Sequence, residues 1–431
     1  MVALGRQCCW AGLRRRGFPI HGAGVINVTP MAATRRPGVF AIALGITALG
    51  FGSTLMLRAV ASPAAGAVRT TCVITPKAAL VPRTGTLFGV NLDWGSEGLS
   101  TYAAQLTHHP AVAVWFTDFP MSNQARSYLS QTLAQVRAQG AILLLTLQPT
   151  HGLSAVTNAA ATNLGMTLAA ANRLGTPVIV RFAHEMNGSW YPWGQQPHEY
   201  IAAFRRVALA VHRLAPGSAM MWAPNYGGGY PFLAGRYLAR PGTADYRALD
   251  TNHDGVVDRR DDPYAPYWPG NDAVDWVGMS LYHWGNSYPW GANVVPEPGK
   301  FVAQLTGTYD GAGGDDRAVP NFYAVYGVQH RKPVAIAETA ALVNTSRNTS
   351  HELEIKQAWW QQVFASDIPS RFRDLKMINW FEWDKYEVQV HARVDWTVTK
   401  VPFVRAAFIR QLPHWLRFGR PNNGGCYTPP G

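Results

Sequence analysis

Between residues 80 and 420 the chain alternates short apolar runs with longer amphipathic stretches. Eight runs rich in β-branched and aromatic residues cover Leu87–Trp94, Ala111–Phe119, Ala141–Pro149, Pro177–Glu185, Ala219–Asn225, Val274–Trp284, Pro333–Ala340 and Leu375–Asp384. They are almost continuously apolar, the pattern of strands buried on both faces of a parallel sheet. Between them, apolar residues recur at helical spacing over Asn123–Gln139, Asn158–Leu174, His198–Leu214, Asn321–His330, Glu352–Ala365 and Pro402–Leu412. Strands separated mostly by helices predict an α/β fold, a (β/α)8 TIM barrel over residues 85–415. An open doubly wound sheet would want a Gly-rich phosphate loop after its first strand, and none is present. The stretch Gly227–Asn271, after the fifth strand, is too long for an ordinary connection and predicts an insertion with structure of its own.

Residues 1–67 break this pattern. Arg35 and Arg36 precede an apolar run, Val39–Leu57, and small residues follow as far as Ala65-Gly66-Ala67. That order of charged, apolar and small-residue regions is the order of a secretory signal. The run is also long enough to span a bilayer, so a retained anchor at 39–57 is the alternative, and the only expected contact with a membrane. Met31 would make a more ordinary start than Met1, because residues 1–30 add nothing a signal needs. On either reading the chain is expected to be exported, secreted or extracytoplasmic. Residues 68–84 then form an N-terminal extension and 416–431 a C-terminal tail.

Of the four cysteines, Cys8 and Cys9 lie in the leader, leaving Cys72 and Cys426 near the two ends of the mature chain. In an oxidising compartment these are expected to pair and tie the tail back, two free buried thiols being the alternative. The formal charge of +12 suggests a polyanion partner, but the leader holds seven Arg, no Lys and no acid. The remainder sets 31 basic against 26 acidic residues without a long basic run, which excludes nucleic acid as the main partner. A monomer is expected. The 16 Trp, 17 Tyr and 17 Phe often neighbour Gly, Pro and Asn, as in walls that contact sugar rings.

In a barrel of this kind chemistry gathers where strands end. The fourth run closes on Arg181-Phe182-Ala183-His184-Glu185-Met186-Asn187-Gly188, then Ser189-Trp190-Tyr191-Pro192-Trp193. The fifth closes on Trp222-Ala223-Pro224-Asn225, the sixth on Ser280-Leu281-Tyr282-His283-Trp284, the seventh on Ala337-Glu338 and the eighth on Trp380-Phe381-Glu382-Trp383. Glu185 and Glu338 are each the first acid after an apolar strand. Two carboxylates aimed at one bond across a barrel mouth are what glycoside hydrolysis requires. Stacking Trp and hydroxyl-reading Asn, His and Tyr beside them favour that reading over a structural pairing with Arg. A zinc site at His184-Glu185 is excluded by spacing, since the next His is His198 and H-E-x-x-H is absent.

The string around Glu185, with Arg181 before it and Trp190-Tyr191-Pro192-Trp193 after it, resembles glycoside hydrolase family 26. Weaker likenesses follow in order at Trp222–Asn225, Asp275-Trp276-Val277-Gly278 and Ala337-Glu338. The family consists chiefly of endo-β-1,4-mannanases, with some mixed-linkage β-glucanases and β-1,3-xylanases. The resemblance implies an exported retaining endo-β-glycanase acting on a β-linked polysaccharide. Glu185 would be its acid/base, Glu338 its nucleophile, and no catalytic cofactor would be needed. It implies that Tyr282 holds Glu338 in line, that Arg181 orients a carboxylate, and that His184, Asn225, Trp190, Trp193 and Trp380 meet substrate. Glu382 is given no catalytic role. Family mannanases commonly carry a Trp followed by a His where this chain reads Leu145-Thr146-Leu147-Gln148-Pro149, so a mixed-linkage glucan or a xylan stands beside mannan. A non-catalytic carbohydrate-binding barrel is the alternative of another class.

One motif lies apart from the strand ends. Asp250-Thr251-Asn252-His253-Asp254-Gly255-Val256-Val257-Asp258-Arg259-Arg260-Asp261 has the periodicity of an EF-hand loop, with Asp at position twelve as in dockerin modules. A structural Ca²⁺ is expected there, held by Asp250, Asn252, Asp254, the Val256 carbonyl, Asp258 and Asp261, a solvated acidic turn being the alternative.

Overall fold

Eight parallel strands close into a barrel: β1 (Thr86–Leu92), β2 (Val112–Asp118), β3 (Ile142–Gln148), β4 (Val178–Phe182), β5 (Ser218–Trp222), β6 (Trp276–Ser280), β7 (Val334–Thr339) and β8 (Leu375–Glu382). Each pairs with the next, and β8 returns to pair with β1 over Leu87↔Met377 to Leu92↔Glu382. The computed structural model describes residues 71–430 apart from 312–313, 316–318 and 423–424. The leader 1–67 and its run at 39–57 lie outside the described residues. Among the described residues no helix is long and apolar enough to cross a membrane.

Continuous apolarity is explained by burial on both sides. Leu87, Val112, Val114, Ile142, Leu144, Ile179, Met221, Trp276 and Met377 fill the barrel interior. The alternate residues, among them Phe88, Val90, Leu143, Leu145 and Val180, pack outward into a continuous layer with the helices. Those helices include α1 (Leu99–Leu106), α2 (Asn123–Ala138), α3 (Asn158–Arg173) and α4 (Pro197–Leu214). Ser122 and Thr157 cap α2 and α3 by accepting from the amides of Ala125 and Ala160, which satisfies donors the first helical turn leaves open. The series continues with α5 (Ala244–Leu249), α6 (Lys300–Leu305), α7 (Glu352–Val363), α8 (Ile368–Arg371) and α9 (Pro402–Gln411).

Three features depart from the pattern analysis. Helix α1 buries Leu99, Tyr102, Ala103 and Leu106, an i, i+3, i+4, i+7 set within a segment too short to stand out. Tyr323–Gln329 forms a π-helix in place of the expected ordinary helix. Gly327 there lies so close to β7 that a Cβ would come within 2.6 Å of Val334. Directly after β8, Asp384–Glu387 (β9) and Ala392–Asp395 (β10) form an antiparallel hairpin over the barrel end. The insertion after β5 does carry structure of its own, in α5 and a 3-10 turn at Ala265–Tyr267, and Tyr267 anchors it by accepting from the Trp222 indole at 3.0 Å.

Cys72 and Cys426 are bonded, with Cα atoms 5.5 Å apart across 354 residues of sequence. The bridge packs on Gly175, at φ +82°, where a Cβ would stand 2.7 Å from the Cys72 sulfur. Closing so long a loop restricts the unfolded chain. Replacing Cys72 and Cys426 together by Ser is therefore expected to cost about 2–5 kcal/mol. Thermal melting with and without reductant checks this: reductant should lower the wild-type Tm to that of the double variant and leave the variant unmoved. Two alkylatable thiols in the native protein would contradict it.

Candidate active site

The site is built where β4, β6 and β7 end. Past Phe182 the backbone turns through two left-handed residues, Ala183 (φ 46°) and Glu185 (φ 54°). For non-glycine residues such conformations cost of order 1–3 kcal/mol each, and neighbouring bonds hold them. The Glu185 amide donates to the Ala223 carbonyl at 2.9 Å, stitching the turn to the end of β5. Asn187 completes the stitch, its Oδ1 accepting from the Asn225 amide (2.8 Å) and its Nδ2 donating to the Asn225 carbonyl (2.9 Å). Gly188 lets the Trp190 ring lie flat on the chain, since a Cβ would meet that ring at 2.4 Å. So placed, the Trp190 indole donates to Glu185 Oε2 at 3.0 Å.

Glu338 reaches the same place by a different device. Ala335 and Ala337 face the barrel interior, so strict alternation would turn Glu338 outward. The β6–β7 register slips between Met279↔Ile336 and Ser280↔Glu338. That bulge supplies one extra residue and re-aims the side chain. Glu338 Oε1 then accepts from the Arg181 guanidinium and Oε2 from the Tyr282 hydroxyl (2.5 Å). The second Arg181 terminal nitrogen donates to Ser280 Oγ at 2.7 Å. Arg181 is fully buried, and divides its donors between a carboxylate and a hydroxyl instead of gripping one carboxylate with both.

The electrostatics separate the two acids. Desolvation first, and the charge of Glu338 second, push the half-buried Glu185 up to about 7, against the opposing pull of Arg181. Desolvation and the Glu338 charge also hold the Tyr282 phenol well above its ordinary range, so it stays a donor. His184 is driven well below its ordinary range by burial, then by the Arg181 and Lys385 cations, and is neutral. One carboxyl thus keeps its proton near neutrality beside another held by two donors. That pair can protonate a leaving oxygen and attack the carbon it leaves.

The other residues singled out in the sequence fall in different places. Trp190 lines the site, and Asn225 is half-buried beside it with its amide donating to the Tyr226 carbonyl. His184, 1% exposed, is packed behind the site against Phe116 (5.3 Å), Tyr191 (4.9 Å) and Trp193 (5.7 Å), so it braces the wall and offers no face to substrate. Trp193, likewise 1% exposed, stacks on Tyr191 at 4.4 Å and donates to the His184 carbonyl at 2.7 Å. Trp380 is a correction of the same kind. Its β8 neighbours Met377 and Asn379 face inward, so Trp380 faces out, buried against Phe364 and Phe408. Neither Trp is a platform for sugar. Glu382 is buried and accepts from the Val398 amide and the Thr399 hydroxyl, an anchor for the chain after the hairpin.

Ser280 and Trp383, quoted at the strand ends, were given no role in the sequence. A lone hydroxyl at the end of the apolar run Trp276–Ser280 was the signal for Ser280. Half-buried Trp383 stacks on Phe381 at 5.9 Å and donates to Asn91 at 3.2 Å.

The acidic loop of the insertion is turned in on itself. Asp250 accepts from the amides of Asp254 (3.1 Å) and Gly255 (2.9 Å), and Asn252 accepts from the Asp254 amide (2.9 Å). Asp261 accepts from the amides of Thr251 (2.7 Å), Asn252 (3.2 Å) and Asp258 (2.8 Å). Arg260 bridges Asp254 (2.6 Å) and Asp258 (2.7 Å) as an internal cation. Among the described residues no group of three or more His, Cys, Asp or Glu side chains is placed to hold a metal ion. The calcium expectation for Asp250, Asn252, Asp254, Val256, Asp258 and Asp261 is thus without support among the described residues, where backbone amides and Arg260 engage the carboxylates of the loop.

Comparison with known proteins bears on this geometry. Residues 148–217 match the model of glycosyl hydrolase family 26, a segment running from the end of β3 past α4. Endoglucanase H of Acetivibrio thermocellus is 22% identical over 306 residues, 68% of this chain but 26% of that protein, so the chain spans about a quarter of that relative's length. An endo-β-1,4-mannanase double mutant from Cellulomonas fimi superposes with a TM-score of 0.51 at 16% identity, over 84% of this chain and 80% of that one. A modular endo-β-1,4-mannanase from Cellulomonas fimi gives 0.50 at 16% identity, over 80% and 75%. These two establish likeness of fold. The matched segment holds Arg181, Glu185, Asn187 and Gly188, the residues that build one side of the site, and over that segment the chain is similar to glycosyl hydrolase family 26.

Proposed function

We propose that the protein is an exported retaining endo-β-glycanase that hydrolyses mannan-type polysaccharide by double displacement. The observation that carries this reading is the pairing of Glu185, raised to about 7, with a Glu338 fixed by Arg181 and Tyr282. In the first step Glu338 attacks the anomeric carbon while Glu185 gives its proton to the glycosidic oxygen, which departs as an alcohol. The Glu338 oxygen now in the ester no longer carries charge. That removes one of the causes that raise Glu185, so its acidity increases as its role changes. In the second step Glu185, now a carboxylate, takes a proton from water, and the water oxygen displaces Glu338 with a second inversion.

Mannan is favoured by the endo-β-1,4-mannanases of similar fold, and a β-glucan is supported as the second substrate by the relative named as an endoglucanase. The end of β3, Leu145-Thr146-Leu147-Gln148-Pro149, where family mannanases commonly carry a Trp followed by a His, is the region at which the two readings part. A pure carbohydrate binder would gain nothing from holding one carboxyl protonated against another. The Cys72–Cys426 bridge supports action outside the cytoplasm.

Two experiments test the assignment. Glu185→Ala and Glu338→Ala are each expected to lower kcat by about 10²–10⁴ or more, measured as reducing sugar released from mannan, mixed-linkage glucan and xylan. Azide should restore turnover to Glu338→Ala with an inverted glycosyl azide as product. Glu185→Ala should keep its kcat/KM on aryl glycosides with good leaving groups, which reports the first step, while its kcat falls with the unassisted second step. The pH profile gives a second check. A carboxyl raised to about 7 is active below that value and loses its proton above it, so kcat/KM on polysaccharide should fall as pH rises through about 7. With an aryl glycoside that needs no proton the fall should vanish, and a fall of equal size would contradict the acid role.

A further inference from the structure

The segment that leaves β6 carries aromatic residues away from the nucleophile. Tyr282 touches Glu338, and Trp284 follows, edge-on to Trp396 at 4.9 Å. Beyond them, Tyr288 is 70% exposed and stands edge-on to Trp290, with centroids 5.9 Å apart and planes at 87°. The loop that holds it is pinned. The His283 ring bonds the Val294 carbonyl (2.8 Å), Asn286 donates to the Val295 carbonyl (2.9 Å), and Asn293 donates to the carbonyls of Asn344 and Asn348 (both 3.0 Å). At Gly291 it meets the hairpin after β8 so closely that a Cβ would stand 3.1 Å from Val390.

Strongly exposed aromatic rings are few: Tyr128, Tyr288, Tyr386 and Phe403 among the described residues. Tyr128 and Phe403 belong to the outer helices α2 and α9, whereas Tyr288 and Tyr386 sit on two abutting segments at the strand ends where Glu185 and Glu338 lie. A ring left in water yet braced from behind by a second aromatic is poised for a flat apolar partner. The C–H face of a β-linked pyranose is such a partner.

We infer that Tyr288, braced by Trp290, is a stacking platform for a sugar ring of the polysaccharide at a position beyond the two rings that flank the cleaved bond. The inference rests on the reading of the site as a β-glycanase, and names a remote binding position for that substrate. Continuity favours a glycan over any other occupant, since one chain segment runs from the contact with Glu338 to the exposed ring. Such a platform holds a long chain across the mouth and contributes nothing to a short substrate. It therefore acts on polymer affinity and not on the chemical step.

The test compares wild type, Tyr288→Ala and Tyr288→Trp in the full-length protein. On the soluble galactomannan or mixed-linkage glucan that wild type cleaves, Tyr288→Ala should raise KM about 3- to 10-fold, the effect of one aromatic stack. Its kcat should stay unchanged, and so should kcat/KM on an aryl disaccharide. Tyr288→Trp should behave as wild type. Equal losses on polymer and aryl disaccharide, or no change on polymer, would overturn the platform. Affinity electrophoresis through gels containing the same polysaccharides separates this from the hydrolase reading. If wild type releases no sugar from any glycan, that reading fails. The platform still stands if wild type is retarded and Tyr288→Ala runs free, and it falls if the two migrate alike.

Discussion

The site depends on a buried cation. Arg181 is fully enclosed in the barrel interior, where an unpaired guanidinium would be destabilising by about 3–5 kcal/mol. Glu338 and Ser280 supply its partners, and both are brought to it by the slipped register between β6 and β7. Glu338 is thereby held in place, and after desolvation it is the second cause that raises Glu185. Glu185 receives the Trp190 indole and a desolvated position instead of a cation of its own. Two side chains of identical chemistry thus stand in different surroundings: Glu185 is desolvated beside a negative charge, and Glu338 accepts from the arginine. Removing Arg181 would therefore disturb the fold, the proposed nucleophile and the proposed acid at once, and variants there are poor tools for separating these roles.

The scaffold around the pair is stitched for rigidity. Left-handed backbone at Ala183 and Glu185 persists because the turn is bonded to β5 through Ala223 and through the reciprocal amide bonds of Asn187 and Asn225. Behind it, His184, Tyr191 and Trp193 form an aromatic brace, in which the Trp193 indole donates to the His184 carbonyl. Catalytic groups held within a fraction of an ångström by such supports pay little reorganisation during the reaction. The strain at two residues is thus offset by a network that also sets the geometry.

Much of this was legible in the sequence, for a physical reason. Strands buried on both faces must be apolar throughout, so any charge near their ends, such as Arg181, Glu185 or Glu338, stands out. Side-chain direction was less accessible. Trp380 and Trp193 have the composition of sugar platforms, but the parity of β8 and the stacking on Tyr191 turn them into core. The bulge at Glu338 could not be read, because alternation alone predicts the opposite face. In the acidic loop the pattern of oxygens was visible, whereas the Arg260 that bridges two of them is known only from the fold. The hairpin after β8, charged at Asp384, Lys385, Glu387, Arg393 and Asp395, lacks the continuous apolar run by which the barrel strands were read, which hid it.

The central claim is that Glu338 forms the covalent bond while Glu185 manages protons. Incubating the wild-type protein with an activated 2-deoxy-2-fluoro-β-mannoside slows the second step and traps the intermediate, and peptide mass mapping then locates the sugar. The account predicts a single adduct per chain on the peptide containing Glu338, absent after Glu338→Gln. An adduct on Glu185 or Glu382 would contradict it, as would hydrolysis with no trapped sugar and an inverted anomeric product.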